Sequence, residues 1–115
     1  AYELGRQLGI EAIFTERVDN IMALRRGFEV SEGMNIVICE DVVTTGKSSM
    51  EVKALLESMG AKVIAIASII DRTNEELELP LISSLRVEID TFDADDCPLC
   101  KQGTPVVKPG SRKMD

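Results

Sequence analysis

Residues 36–48, Ile-Val-Ile-Cys-Glu-Asp-Val-Val-Thr-Thr-Gly-Lys-Ser, run an apolar strand into two carboxylates and then into a turn of small residues at the mouth of a helix. No other stretch constrains the fold as strongly, because a buried strand, a short turn and a helix in succession make up most of a βαβ unit. Open α/β sheets bind ligands at the carboxyl ends of their strands, which is where Glu40 and Asp41 fall. The turn Thr44-Thr45-Gly46 aims backbone N–H groups at an anion where the helix begins. Carboxylates can hold sugar hydroxyls while such a turn holds a phosphate, so the segment predicts a sugar-phosphate pocket.

The following residues complete the unit. A helix is predicted from about Ser48 to Met59. Ser48 and Glu51 have capping-box spacing, Val52, Leu55, Leu56 and Met59 share one face, and Gly60 suits the carboxyl-terminal cap. Val63 to Ile70 is almost wholly apolar and rich in β-branched residues, which predicts a central strand buried on both faces. Asp71-Arg72-Thr73 ends that strand at the same edge as Glu40 and Asp41, since parallel strands present their carboxyl ends together.

Less regular segments flank this unit. Ala1 to Leu8 reads as the end of a helix closed by Gly9, and Ile10 to Thr15 as a short strand leading to Glu16-Arg17. Residues 16–27 lack a sustained period and predict an excursion with a small hairpin through Met22 to Arg25 and Phe28 to Val30. Ser31 to Asn35 reads as a turn. Leu77 to Leu85 is apolar but broken by Pro80, and the alternation of Arg86 to Phe92 predicts an edge strand. From about residue 93 the tail carries three of the four prolines and two of the eight glycines, so it should be turn-rich.

With 115 residues and no apolar run approaching the roughly 18 needed to span a membrane, the chain predicts a single domain, 1–115. A formal charge of −7 argues against a nucleic-acid or anionic-membrane partner, because either needs a basic footprint. Three cysteines make no paired framework and no signal peptide precedes Ala1, so a reducing cytoplasm is expected. The chain opens without Met and within a helical pattern, which suggests a fragment of a longer protein.

Gly46-Lys47-Ser48 shares the end of a Walker A loop, but the first glycine of that loop is absent and Asp41 would repel a triphosphate. A phosphoacceptor receiver domain also clusters acids at strand ends, but the separated Asp and later strand-end Lys that it needs cannot be assigned. Cys97-x-x-Cys100 could be half of a zinc knuckle, a redox pair or a structural turn, and the turn is the expected reading. Cys39 is expected to pack in the core.

The strand, the two acids, two further apolar residues and Thr-Thr-Gly resemble the phosphoribosyl-diphosphate (PRPP) signature of type I phosphoribosyltransferases. Glu16-Arg17, Leu24-Arg25-Arg26-Gly27-Phe28, Asp71-Arg72, Cys97-Pro98-Leu99-Cys100 and Lys108-Pro109-Gly110-Ser111-Arg112 are similar to orotate phosphoribosyltransferases in particular. The resemblance implies an α/β fold with a mainly parallel sheet flanked by helices, incomplete at its amino terminus. It implies that Glu40 and Asp41 are the catalytic carboxylates and bind the ribose hydroxyls, and that Val42, Val43, Thr44, Thr45, Gly46, Lys47 and Ser48 complete the PRPP site. Arg17 would contact the diphosphate, and Thr44 and Arg72 the orotate. Magnesium would be held mainly through PRPP rather than by protein ligands, and a homodimer is implied. The implied reaction transfers phosphoribose from PRPP to orotate. The alternatives are transfer to another base, or a non-catalytic PRPP-responsive regulator that binds nucleic acid. Two departures stand out: Val18-Asp19-Asn20-Ile21 replaces the lysines and histidine many members carry after the arginine, and the family's diphosphate loop and hood would precede Ala1.

Overall fold

The computed structural model describes residues 1–93, 95–105 and 107. Its centre is a parallel sheet in the order β3-β4-β5, formed by Asn35–Val43, Lys62–Asp71 and Leu81–Arg86. A separate antiparallel hairpin pairs β1 (Thr15–Val18) with β2 (Ile21–Leu24). Three helices complete the described elements: α1 (Tyr2–Leu8), α2 (Lys47–Ser58) and the single-turn α3 (Pro98–Lys101). The expected α/β class and parallel sheet are therefore present.

Helix α2 lies across the sheet because its buried positions Ser49, Val52 and Leu56 recur on one face. Val52 and Leu56 join Ile38, Val63, Ile66 and Leu79 in the core, where Ile66 has no exposed surface. The helix ends as a Schellman motif. Gly60, at φ 93°, donates its N–H to the Glu57 carbonyl at 3.0 Å, and Ala61 donates to Leu56 at 3.1 Å. Since the strand order advances in one direction, right-handed crossovers put α2 and the 72–80 connection on the same face. Lys53 ties the two together, bonding Glu57 at 2.9 Å and Glu78 at 3.1 Å. The opposite face leaves Val37, Ile69 and Ile82 exposed, so β4 is not buried on both faces as its composition predicts.

Several boundaries differ from the sequence expectation. Residues 10–14 form no strand; the chain enters β1 only at Thr15. The hairpin lies earlier than predicted because Asp19 and Asn20, at φ 50° and 65°, form its two-residue turn. The last strand among the described residues is Leu81–Arg86 rather than 86–92: Pro80 stands just before it and needs no N–H there, while its carbonyl accepts the Ile66 N–H at 2.9 Å. Strand β3 extends through Val43, so both acids lie inside it. The Ser48–Glu51 capping box does not form. Gly46 is the N-cap, no side chain caps the helix, and Glu51 is bound by Arg17 instead. The tail stretch Lys108 to Arg112 lies outside the described residues.

Candidate functional site

The carboxyl end of β3 and the first turn of α2 enclose a cavity of about 230 Å³ lined only by residues 40–49. Its floor is set by chain geometry. Gly46 has φ 70°, and a Cβ there would sit 2.9 Å from Leu77 Cδ2, so a side chain would be strained and crowded at once. With no acidic residue in the first turn and no side-chain cap, the helix presents its positive end and its free amides to the cavity. Among the described residues, only the Lys47 N–H finds a nearby side-chain acceptor, Thr45 Oγ1 at a long 3.4 Å. This end of α2 therefore suits an anion.

Successive strand residues point to opposite faces, so Glu40 and Asp41 occupy different environments within the same rim. Glu40 is half-buried on the α2 side, where Ser49 Oγ donates to its carboxylate at 3.5 Å. Burial, followed by the negative charge of Asp41, pushes the Glu40 pKa up; the Ser49 hydroxyl opposes the shift. Asp41 is exposed, and its Oδ1 accepts the neighbouring Val42 N–H at 2.8 Å. Ser68 pairs with Glu40 across the β3–β4 ladder, and its Oγ is buried without a hydrogen-bond partner among the described residues.

The structure brings Glu40, Asp41, Val42, Val43, Thr44, Thr45, Gly46, Lys47 and Ser48 to one cavity. Val43 contributes backbone alone: its side chain is 3% exposed in the core, and its carbonyl accepts the Arg72 N–H at 2.8 Å. That bond sets Arg72 at the margin of the turn, although Arg72 does not line the cavity. Its Nε is buried with no hydrogen-bond partner among the described residues. Arg17 also lies outside the lining. It is ion-paired with Glu51 of α2 and donates to the Asn20 carbonyl at 2.8 Å. Arg25 and Arg26 turn toward Glu16, at 3.6 and 3.0 Å. Phe14 and Phe28 pack edge to face beside them, with centroids 5.1 Å apart.

Ser49 is the residue the sequence reading missed. It is 2% exposed and links α2 to Glu40. Its signal was its place on the Val52–Leu56 face, three residues before Val52, where a hydroxyl has to be buried. Cys39, expected in the core, is half-buried in β3 and absent from the main apolar cluster.

The sequence profile described as Phosphoribosyl transferase domain matches residues 10–93. A curated orotate phosphoribosyltransferase from Caldanaerobacter subterraneus subsp. tengcongensis is 49% identical over 116 aligned residues, covering 99% of this chain and 61% of that protein. The chain thus spans about three-fifths of that relative's length. With a strand-end carboxylate pair, an uncapped helix start and a profile running through both, the chain belongs to the phosphoribosyl transferase domain family.

Proposed function

We propose that this chain forms the PRPP-binding part of an orotate phosphoribosyltransferase, moving a 5-phosphoribosyl group from PRPP to orotate to give orotidine 5′-phosphate and diphosphate in pyrimidine biosynthesis. The observation that carries this reading is 49% identity, across 99% of the chain, to a protein of that name.

The geometry supports a division of labour. Amides and hydroxyls from Thr44 to Ser48 hold the 5-phosphate at the helix start, while Glu40 and Asp41 accept hydrogen bonds from the ribose hydroxyls. As diphosphate departs from the anomeric carbon, positive charge grows on the ribose ring, and the nearby carboxylates stabilise it. Holding the sugar at both ends also fixes the attack line, so orientation and electrostatics do much of the work and no covalent nucleophile is needed. The orphaned Arg72 Nε is a donor that a planar, carboxylate-bearing base can satisfy. Arg17, now paired with Glu51, would contact the diphosphate by exchanging that carboxylate for it.

Magnesium would be held mainly through PRPP, with the hard oxygens of Glu40 and Asp41 nearby on the rim. No cluster of three or more His, Cys, Asp or Glu side chains suited to a metal occurs among the described residues, so ligand oxygens would supply most of its coordination. When bound it would neutralise charge on the diphosphate. A homodimer and a cytoplasmic location belong to the same proposal. Among the described residues, no helix is long and apolar enough to cross a membrane.

Calorimetric titration of the chain with PRPP in magnesium buffer should give saturable heat. Turnover of orotate against uracil, adenine and hypoxanthine, in the protein at its relatives' length, should then favour orotate. Absence of PRPP binding in both lengths, or preference for another base, overturns the assignment.

A further inference from the structure

We propose that Cys97 and Cys100 form a redox-active dithiol that exchanges with low-molecular-weight disulfides, such as glutathione disulfide, to close an internal disulfide. Neither thiol belongs to the phosphoribosyl site, and the proposal does not depend on that reading.

The geometry begins with Pro98. As the first residue of α3 it fixes φ and has no N–H to satisfy, which leaves Cys97 as the extended N-cap residue, at φ −69° and ψ 121°. The turn then closes through Lys101 N–H to the Cys97 carbonyl at 3.0 Å, and Gly103 N–H to the Cys100 carbonyl at 3.0 Å. The two cysteines bracket this one turn, with only Pro98 and Leu99 between them, so a local adjustment of the turn suffices to bring their Cβ atoms to the roughly 3.5–4.5 Å of a disulfide. Lys101, the last residue of α3, pairs with the Asp96 carboxylate at 2.5 Å. Cys97 is half-buried and Cys100 exposed, so an external disulfide can reach both. A metal is the poorer fit, since no third His, Cys, Asp or Glu joins them in a cluster among the described residues.

The two sulfurs are not equivalent. Hydrogen bonds from the backbone N–H and then the thiol of Cys100 lower the Cys97 pKa, whereas donating to Cys97 raises that of Cys100. Cys97 is accordingly the attacking thiolate. It displaces one thiolate from the external disulfide, which takes up a proton from solvent, and forms a mixed disulfide. Cys100 then loses its proton to solvent and attacks the Cys97 sulfur, releasing the second thiol. Two protein thiols and one external disulfide thus give one internal disulfide and two external thiols.

Treatment of the reduced chain with glutathione disulfide should lower the intact mass by two hydrogens and the thiol titre from three to one. Tryptic mapping should place the bond within residues 87–101 and leave Cys39, on residues 27–47, free. Sub-stoichiometric iodoacetamide should alkylate Cys97 several-fold faster than Cys100, a preference that an unfolded tail would lack. The Cys100→Ser chain should stop at a mixed disulfide on Cys97. Three persisting thiols, stable glutathione adducts on the unmodified sequence, a bond to Cys39, or equal alkylation of the two sulfurs would each overturn the proposal.

Discussion

The carboxyl ends of β3 and β4 lie side by side, and each carries acids, yet their chemistry is opposite. At the end of β4, Asp71 is 7% exposed and fully engaged. Its Oδ1 accepts the Thr73 N–H at 2.8 Å, Arg86 approaches Oδ2 at 3.4 Å, and Arg86 also donates to the Thr73 carbonyl at 3.3 Å. The Thr73 backbone N–H, then its hydroxyl, then Arg86 hold the Asp71 carboxyl below its ordinary value. At the end of β3, Glu40 is pushed the other way, Asp41 finds only its neighbour's amide, and the helix beyond is uncapped. The β4 carboxylate is engaged by the fold itself, whereas the β3 carboxylates are left for a ligand. Size alone would mislead here. The cleft beside Asp71 is the larger, at about 620 Å³ against about 230 Å³, but Glu75, Glu76 and Glu78 line it and would repel phosphate.

The comparison breaks most sharply at Gly46. Gly46→Val places a β-branched residue at φ 70° against Leu77, forcing the turn away from its anion-binding shape. Losing about two charge-assisted contacts to phosphate should weaken PRPP roughly a hundredfold, near 3 kcal/mol, by calorimetry. Retained affinity would mean that the turn does not hold phosphate. Asp41→Asn comes next. In the protein at its relatives' length it should lower turnover at least about tenfold, over 1.4 kcal/mol, with an unaltered melting temperature because the side chain is exposed. Unchanged rates would remove its catalytic role.

Asp71→Ala tests the closed end. Leaving the Thr73 N–H without its acceptor should cost about 1 kcal/mol of stability, while PRPP affinity stays within about twofold. The pH dependence has a definite sign. With its folded pKa depressed, Asp71 contributes stability that is fully present above the ordinary carboxylate value and is lost as pH falls through the folded one. Chemical denaturation of both proteins should therefore converge in acid. A large loss of PRPP affinity in this variant would show that the two strand ends act as one site.

How much of this was legible depended on whether the signal was local. The β3–turn–α2–β4 run was readable because strand composition, helix period and Gly60 agree over consecutive residues. The hairpin was misplaced because its turn rests on Asp19 and Asn20 adopting positive φ, which either residue tolerates but neither requires. Glu51 was assigned to a capping box on spacing alone, whereas Arg17, 34 residues away, takes it in the fold. Ser49 was missed for a related reason: a serine within a helix is unremarkable until a carboxylate from the adjacent strand arrives above it. The alternation at Val87 and Ile89 imitated a strand, but the ladder with β4 runs from Leu81 to Arg86. Tertiary partners decided each of these, and no sequence window contains them.

The smallest effect sharpens the comparison best because its sign is counter-intuitive. Glu40 has a raised folded pKa, so the folded protein holds that proton more tightly than the unfolded chain. Its contribution is fully present below the ordinary carboxylate value and is lost as pH rises through the folded value, so ionised Glu40 costs stability at neutral pH. Glu40→Gln removes that charge, relieves Asp41 and still offers an oxygen to Ser49. The melting temperature should rise by about 2 °C at pH 7, a small gain because the side chain remains partly solvated, and by nothing near pH 4. PRPP binding should weaken in the same variant, since an amide oxygen is a poorer acceptor for ribose hydroxyls than a carboxylate. A lower melting temperature at pH 7 would put Glu40 in the same class as Asp71, a structural acid. A gain in stability with a loss of ligand would mark it as a group kept ionised, against the preference of the fold, for what it binds.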